Sequence, residues 1–216
     1  MRVDLHIHSD RSDDGRQSLD DIIHRGKEIG LGALSITDHN SMDCYPVTAE
    51  DIIILPGMEI TTAGGHVLAY MTTETIPKGR SVDETIDLIH AQGGIAIAAH
   101  PYRWWSGLGE DNVRGSRFDA VEVLNSRSLG FGNRAATRLA RSIRLPEVGG
   151  SDAHVVMHIG RACTVFPDDC QSAEDLVKAI RSGVTSTEGF GRGIMESMTY
   201  GTKSIARWAR RGFRRL

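Results

Sequence analysis

The sequence predicts an α/β fold in which short parallel strands close into a barrel. Apolar runs alternate with amphipathic segments, which is typical of parallel sheets covered by helices. The runs number roughly seven or eight, and that many short strands close into a barrel more readily than they spread as an open sheet. Polar residues of metal-binding type follow the runs, as at one rim of a barrel. The expected strands are Val3–His8, Ala33–His39, Ile52–Glu59, His66–Met71, Ile95–His100, Phe118–Leu124, Glu147–His154 and Cys163–Phe166.

Four segments have helical spacing. In the first, Ser18 and Asp21 form the pattern of a capping box, Leu19 and the isoleucines that follow recur at helical intervals, and Gly30 supplies a stop. The other helices are expected at Ser81–Gln92, Asn133–Ile143 and Ser172–Arg181. The stretch Tyr102–Arg117 shows no clear period, so we expect a long loop there, and such loops are often lids or binding segments.

Length and composition favour one domain with an added basic helix. A chain of 216 residues with 40% hydrophobic residues can bury a substantial core. We expect the barrel domain to span residues 1–195, and residues 196–216 to form a helix that packs on it or extends from it. The basic residues of this tail are Lys203, Arg207, Arg210, Arg211, Arg214 and Arg215. Such a tail can bind nucleic acid, but the rest of the chain is acidic, so nucleic acid is not favoured as the main partner.

The cysteines and the hydropathy pattern favour a cytoplasmic protein. Cys44, Cys163 and Cys170 have no paired spacing. Met1 leads directly into a strand-like run, without the basic stretch and long apolar segment of a signal peptide. No apolar run approaches the roughly 20 residues needed to cross a bilayer, so we expect no membrane span.

Histidines and carboxylates recur where the apolar runs end, which indicates a metal site. His6 and His8 alternate along a strand and therefore point to the same side, where they can share one ion. The polar stretch after this run offers Asp10, Asp13 and Asp14. Ligand-type side chains also end other runs, at His39, Glu59, His100, Asp152 and His154.

Each of these residues alone has a simpler interpretation. A lone strand histidine is more often a hydrogen-bonded core or rim residue than a ligand, and a lone aspartate at a strand end more often forms a turn. Together they would need a separate explanation at each strand end, whereas a cluster of divalent ions explains them all. Imidazole and carboxylate together suit Zn, Mn or Fe, so the residues do not identify the metal.

Several motifs occur in a fixed order over about residues 3–190. They are Asp4-Leu5-His6-Ile7-His8-Ser9, Ser12-Asp13-Asp14-Gly15, Thr37-Asp38-His39, Gly57-Met58-Glu59, Gly65-His66, Ala99-His100-Pro101 and Gly149-Gly150-Ser151-Asp152-Ala153-His154. In this order they resemble the PHP family, the polymerase and histidinol phosphatase superfamily of metal-dependent phosphoesterases. The resemblance implies a distorted (β/α)7 barrel, similar to a TIM barrel, with two or three divalent ions at the carboxyl-terminal rim.

By the same resemblance, the metal ligands fall into three sets. The first ion takes His6, His8, Glu59 and Asp152. The second shares Glu59 and adds His66 and His100. The third takes Asp14, His39 and His154. Family members place His or Asp at the position of Asp14, and Asp13 beside it offers the same group. Glu59 and His66 can share an ion only if a tight hairpin runs through Thr61–Gly65.

The expected reaction is hydrolysis of phosphate esters, with small phosphomonoesters such as histidinol phosphate or nucleotides as the leading substrates. Clustered divalent ions lower the pKa of bound water towards about 7, so a metal-activated hydroxide is the expected nucleophile. The predicted catalytic residues are Asp14, His39, Glu59, Arg103, Asp152 and His154. Arg103 and Arg127 are expected to bind phosphate oxygens, and Asn125 to orient substrate or water.

Two other functions stay open from the sequence alone. One is a nuclease or phosphodiesterase that acts on nucleotides or short nucleic acids, with the basic tail holding the strand, for which steep salt dependence of binding is diagnostic. The other is a noncatalytic, metal-stabilised module, which any metal-dependent turnover would exclude. The sequence does not fix the oligomeric state.

Overall fold

The computed structural model describes residues 1–193, whose strands form two five-stranded sheets. The strands are β1 (Arg2–Ile7), β2 (Ala33–Ile36), β3 (Ile53–Ile54), β4 (Gly57–Thr62), β5 (Gly65–Tyr70), β6 (Ile95–Ala98), β7 (Ala120–Asn125), β8 (Glu147–Gly150), β9 (Ala162–Val165) and β10 (Ser186–Gly189). The helices are α1 (Leu19–Glu28), α2 (Val82–Ala91), α3 (Gly109–Gly115), α4 (Gly130–Ile143) and α5 (Ala173–Ser182).

Serine N-caps begin α1, α2 and α5. The predicted capping box of α1 is confirmed, since the Ser18 hydroxyl accepts from the backbone N–H of Asp21 and the Asp21 carboxylate accepts from that of Ser18. Two predictions need correction. The stretch Tyr102–Arg117 is not wholly a loop, because it contains α3, and α4 begins three residues before the predicted Asn133. The short strand β10 was not predicted.

The prediction of a closed, parallel (β/α)7 barrel is wrong. The strands lie in the order β10-β9-β1-β2-β3 in one sheet and β4-β5-β6-β7-β8 in the other. Both sheets are mixed: β1, β2 and β3 are parallel, as are β6, β7 and β8, whereas β9 is antiparallel to β1 and β5 is antiparallel to β4 and β6.

Where β8 passes β1, close packing and a threonine hydroxyl join the two sheets instead of a backbone ladder. Gly150 of β8 lies so close to β1 that an added Cβ would be 2.5 Å from the Cβ of His6. The backbone N–H and C=O of Gly149 both bond to the hydroxyl of Thr164 on β9, at 2.8 Å each. Pairing continues only as an isolated bridge between Ile7 and Ala153. The ladder that would close a barrel therefore does not form at this edge.

At the other edge, the predicted strand Ile52–Glu59 is interrupted at Pro56, and its two halves join different sheets. β3 pairs with β2, whereas β4 begins at Gly57 and pairs with β5. Proline has no N–H and cannot continue a central ladder. The sheets touch again through an isolated bridge between His39 and Glu59. Two of the predicted ligands therefore lie where the sheets meet.

Three apolar clusters stabilise this arrangement. One packs α2 and α4 against β4–β7, a second lies among β1, β5, β6 and α5, and a third packs α1 against β1 and β2. Tyr70 crosses between the sheets, and its buried hydroxyl donates to the carbonyl of Leu5 at 2.7 Å. Among residues 1–193, no helix combines the length and apolar character needed to cross a bilayer. The predicted basic helix at residues 196–216 lies outside the described residues.

Candidate metal centre

All nine predicted metal ligands lie close together at the junction of the two sheets. They comprise six imidazoles and three carboxylates, and their ligand atoms form four overlapping groups, within each of which all atoms lie within 4.8 Å of one another. The groups are His8–Asp14–His39–His154, His6–His100–Asp152, His6–His8–Glu59 and His39–Glu59–His66. The groups overlap the three predicted sets without matching them, and the assignment of side chains to particular ions stays a prediction.

Strand ends supply most of the cluster. His6 in β1 and His8 just after it point to the same side, with their Nε2 atoms 3.2 Å apart. His100 lies two residues beyond β6, and Asp152 lies two residues beyond β8. Both adopt positive φ angles, 24° and 54°, which cost on the order of 1–3 kcal/mol in a residue other than glycine. The chain thus turns sharply at two predicted ligands.

Glu59 lies at the centre of the cluster. Its Oε1 is 2.8 Å from Nδ1 of His66 and 2.9 Å from Nε2 of His100. Its Oε2 is 3.2 Å from Nε2 of His8 and 3.2 Å from Nδ1 of His39. The hairpin of β4 and β5 returns His66 to Glu59, which confirms the tight turn that the prediction required.

Asp14, and not its neighbour Asp13, faces the cluster. Its Oδ2 is 2.8 Å from Nε2 of His154, and its Oδ1 is 3.7 Å from Nε2 of His39. His39 and His154 are partly exposed, whereas Glu59 is buried. The side of the cluster formed by Asp14, His39 and His154 therefore faces solvent.

Arg103 and Arg127, the predicted phosphate-binding residues, both contact Asp152. Nη2 of Arg103 is 2.6 Å from Oδ2 of Asp152, and Nη1 of Arg127 is 3.1 Å from Oδ1. Asn125 is buried, and its amide is already bonded to protein groups: Oδ1 accepts from Arg103 at 2.7 Å and Nδ2 donates to Asp152 at 3.2 Å. Contact of these residues with substrate stays a prediction.

Glu122 of β7 is a buried site residue that the sequence analysis missed. Its Oε1 is 2.8 Å from Nδ1 of His6, and its Oε2 accepts from the backbone N–H of His100 at 2.8 Å. A carboxylate on the far nitrogen of a histidine fixes the ring and directs the other nitrogen towards a metal. The available signal was an acid in the middle of an apolar strand, Val121-Glu122-Val123.

Two further buried aspartates shape the loops around the cluster. Asp4 accepts from the backbone N–H groups of Ser151 and Gly160, at 2.9 and 2.8 Å, and burial raises its pKa to about 6. Asp38 accepts from the backbone N–H and the hydroxyl of Ser9, both at 2.6 Å. Asp38 thus stabilises the loop after β1.

The cluster keeps its carboxylates anionic and divides its imidazoles. Burial alone would raise the pKa of Glu59, but neighbouring imidazoles, His66 foremost, hold it well below its usual range. Burial lowers the pKa of His8, but hydrogen bonds to Asp152 and Glu59 outweigh this effect and raise it to about 9. Burial and the nearby Arg103 lower the pKa of His100 to about 4. The pKa is therefore raised at one imidazole of the cluster, His8, and lowered at another, His100.

The donor set fits divalent cations. Zn, Mn and Fe are bound well by imidazole nitrogens and carboxylate oxygens. Buried acids and imidazoles packed this closely are costly without compensating positive charge. Within residues 1–193, Nδ1 of His100 is buried without a hydrogen-bond partner, a need that coordination at this nitrogen would meet. The residues present therefore suit a group of divalent ions.

Comparison with known proteins gives two family matches along the chain. A family described as PHP domain matches residues 4–124, and one described as PHP-associated matches residues 130–185. The first match covers β1 to β7 and includes all the predicted ligands except Asp152 and His154. The family resemblance drawn from the motifs is thereby confirmed.

Curated proteins and a solved structure are also similar to parts of this chain. A protein of uncharacterised function from Methanocaldococcus jannaschii is 34% identical over 141 residues, which cover 58% of this chain and 82% of the relative. A 5′-3′ exoribonuclease from Salmonella typhimurium is 28% identical over 116 residues, covering 42% of this chain and 39% of the relative. The crystal structure of a two-domain protein from Bacteroides vulgatus, described as containing a PHP-like metal-dependent phosphoesterase, superposes with a TM-score of 0.67 at 20% identity, over 88% of this chain and 65% of that one.

Proposed function

Because the chain belongs to the PHP domain family, we propose that it is a metal-dependent phosphoesterase that hydrolyses small phosphate monoesters. One observation carries the proposal: six imidazoles and three carboxylates converge beside two arginines at the edge of the cluster. Clustered ions suit several hydrolytic reactions, but the fork-shaped guanidinium matches the paired oxygens of a phosphate. The combination favours phosphate over a neutral ester or amide.

The ligand sets proposed for two or three ions are those that the resemblance implies. Divalent ions bound there would neutralise phosphate oxygens and lower the pKa of the attacking water. Glu59, between the imidazoles, supplies carboxylate oxygens to both sides of the cluster. Asp14, His39 and His154 line the solvent-facing side, where ester and water would enter.

The reaction adds one water to phosphorus and breaks the bond between phosphorus and the ester oxygen, giving an alcohol and inorganic phosphate. Arg103 and Arg127 bind the nonbridging oxygens in this scheme, because both guanidinium groups already lie against Asp152 at the edge of the cluster. Glu122 and Asn125 hold His6, Asp152 and Arg103 in place from beneath.

The test is phosphate release by the full chain after loading with Mn, Fe or Zn. Ribose 5-phosphate, AMP and histidinol phosphate serve as substrates. We expect release that a chelator abolishes and added metal restores, and a rise in KM for Arg103→Gln. Absence of release from every ester by metal-loaded protein would contradict the proposal.

A nuclease is the second candidate, because one relative is named as an exoribonuclease. The same ions and arginines would then act on the phosphodiester of a strand. A short labelled RNA separates the two functions: degradation faster than phosphate release from any monoester, with binding that weakens steeply as salt rises, favours the nuclease.

A further inference from the structure

A pocket of about 340 Å³ adjoins the arginine side of the metal centre. Arg103 and Arg127 line it and also reach Asp152, so they lie between the ligand cluster and the rest of the pocket. The volume falls within the range of small-molecule sites, roughly 300–1,000 Å³. A substrate with its phosphate at the arginines would place its remaining atoms in this pocket.

Aromatic side chains form the far wall of this pocket. Tyr102, Trp104, Trp105 and Phe131 all line it. Trp104 is 93% exposed, Trp105 is 80% exposed and Phe131 is 61% exposed, and these are three of the six exposed large hydrophobic residues among residues 1–193. Half of the exposed apolar side chains in the described part of the chain thus gather at one pocket, and such a concentration marks a binding surface.

Local hydrogen bonds hold the tryptophans in this position. The backbone N–H of Arg103 donates to the carbonyl of His100 at 3.0 Å, and that of Gly107 donates to the carbonyl of Arg103 at 2.9 Å. The Tyr102 hydroxyl donates to Glu110 on α3 at 2.8 Å. The two indole rings lie 6.3 Å apart and are inclined by 32°. A turn anchored at both ends therefore carries the two indoles that line the pocket.

We infer that this aromatic wall binds a nucleobase, and that the preferred esters are nucleoside monophosphates; the inference rests on the proposed phosphoesterase function. Every base offers a flat π face that stacks on indole, whereas a sugar phosphate alone would leave the indoles exposed. In a nucleotide a sugar separates the phosphate from the base. The phosphate would lie at the metal centre and the arginines, and the base would then lie at the aromatic wall. Trp104 and Trp105 are then residues that determine specificity.

The experiment compares AMP with ribose 5-phosphate, which lacks only the base. In the Mn-loaded full chain we expect kcat/KM for AMP to exceed that for ribose 5-phosphate by about ten-fold or more, since stacking of one base is worth about that factor. The double variant Trp104→Ala/Trp105→Ala should lose this preference through a higher KM for AMP. Phe190→Ala, an exposed aromatic residue outside the pocket, is the matched control and should keep the preference.

Equal use of the two esters by the wild type, or an unchanged preference in the double variant, would overturn the inference. If neither ester releases phosphate, the proposed function fails, and calorimetric titration with AMP still tests the pocket. Binding of AMP by the wild type that weakens about ten-fold in the double variant supports the base subsite. No binding, or equal binding by both proteins, refutes it.

Discussion

Nδ1 of His6 lies 2.8 Å from Oε1 of Glu122, and both side chains are fully buried. This contact fixes the ring of a predicted ligand from the side opposite the cluster. The same carboxylate also accepts from the backbone N–H of His100. One residue of β7 thus orients two predicted ligands, one within β1 and one just beyond β6.

We expect Glu122→Gln to weaken metal binding about 10- to 100-fold, as is typical when the partner of a ligand histidine is changed. Glutamine keeps the volume but has a single oxygen for His6 and the backbone of His100. The measurement is a titration with Mn²⁺ in competition with a chromogenic chelator. Glu50→Gln, at an exposed loop position, is the control. Equal affinities of the two variants for Mn²⁺ would show that Glu122 does not support metal binding.

His39→Ala should reduce phosphate release more than the 10- to 100-fold expected for an outer residue, because it removes a predicted direct ligand. His39 suits this test because its side chain is 23% exposed, so its loss leaves only a small cavity. His24→Ala, on α1 and outside the cluster, should retain activity. Far-UV circular dichroism should be the same for both variants. Near-wild-type turnover by His39→Ala would count against its assignment.

In the metal-free chain, the free energy of unfolding should fall as pH rises from about 6.5 to about 9. The pKa of His8 is about 9 in the folded chain, above its usual value near 6.5. In this range the folded state therefore holds a proton on His8 that the unfolded state releases. The stabilisation from this proton is complete below pH 6.5 and is lost as pH rises through 9. Ions take the place of that proton in loaded protein, so its Tm should change less.

Stability of the metal-free chain should also fall towards acid. The pKa of His100 is about 4 in the folded chain, so between pH 6.5 and 4 the unfolded state binds the proton more readily and is favoured. Thermal melts from pH 4 to 9, with and without chelator, give the profile. If the Tm of chelator-treated protein does not change with pH, or if the profiles with and without metal run parallel, protonation of these imidazoles does not determine the stability of the metal-free chain.

Gly150→Ala should destabilise the protein by about 1–3 kcal/mol, a cost typical of overpacking a filled interior. The added Cβ would lie 2.5 Å from the Cβ of His6 and 2.8 Å from its backbone nitrogen, so β1 and β8 must separate. Gly115→Ala is the control, because an added Cβ there meets no atom within 4 Å. Urea denaturation measures both. Equal stability of the two variants would mean that the sheets tolerate separation at this edge.

The site was more predictable than the fold, because the site is encoded by short-range patterns. The alternation of His6 and His8 places both rings on one face whatever the sheet topology. The seven-residue separation of Glu59 and His66 requires a hairpin, and β4 and β5 form one. Glu122 was missed because an acid in an apolar strand indicates a buried carboxylate without showing that its partner is His6, which lies 116 residues away.

Closure of the barrel was not predictable from strand number. It depends on whether edge strands form ladders, and that is decided by single residues. Pro56 separates β3 from β4, and Thr164 bonds to Gly149 where a ladder would run. Helix α3 was missed because its seven residues contain two glycines and few apolar positions.

Elemental analysis of the full chain shows whether the cluster binds divalent ions. The protein is incubated with manganese, iron and zinc, freed of excess metal by gel filtration, and analysed beside His39→Ala. We expect two or three divalent ions per wild-type chain and fewer in the variant. A wild-type chain that stays metal-free, or that holds no more metal than the variant, would contradict it.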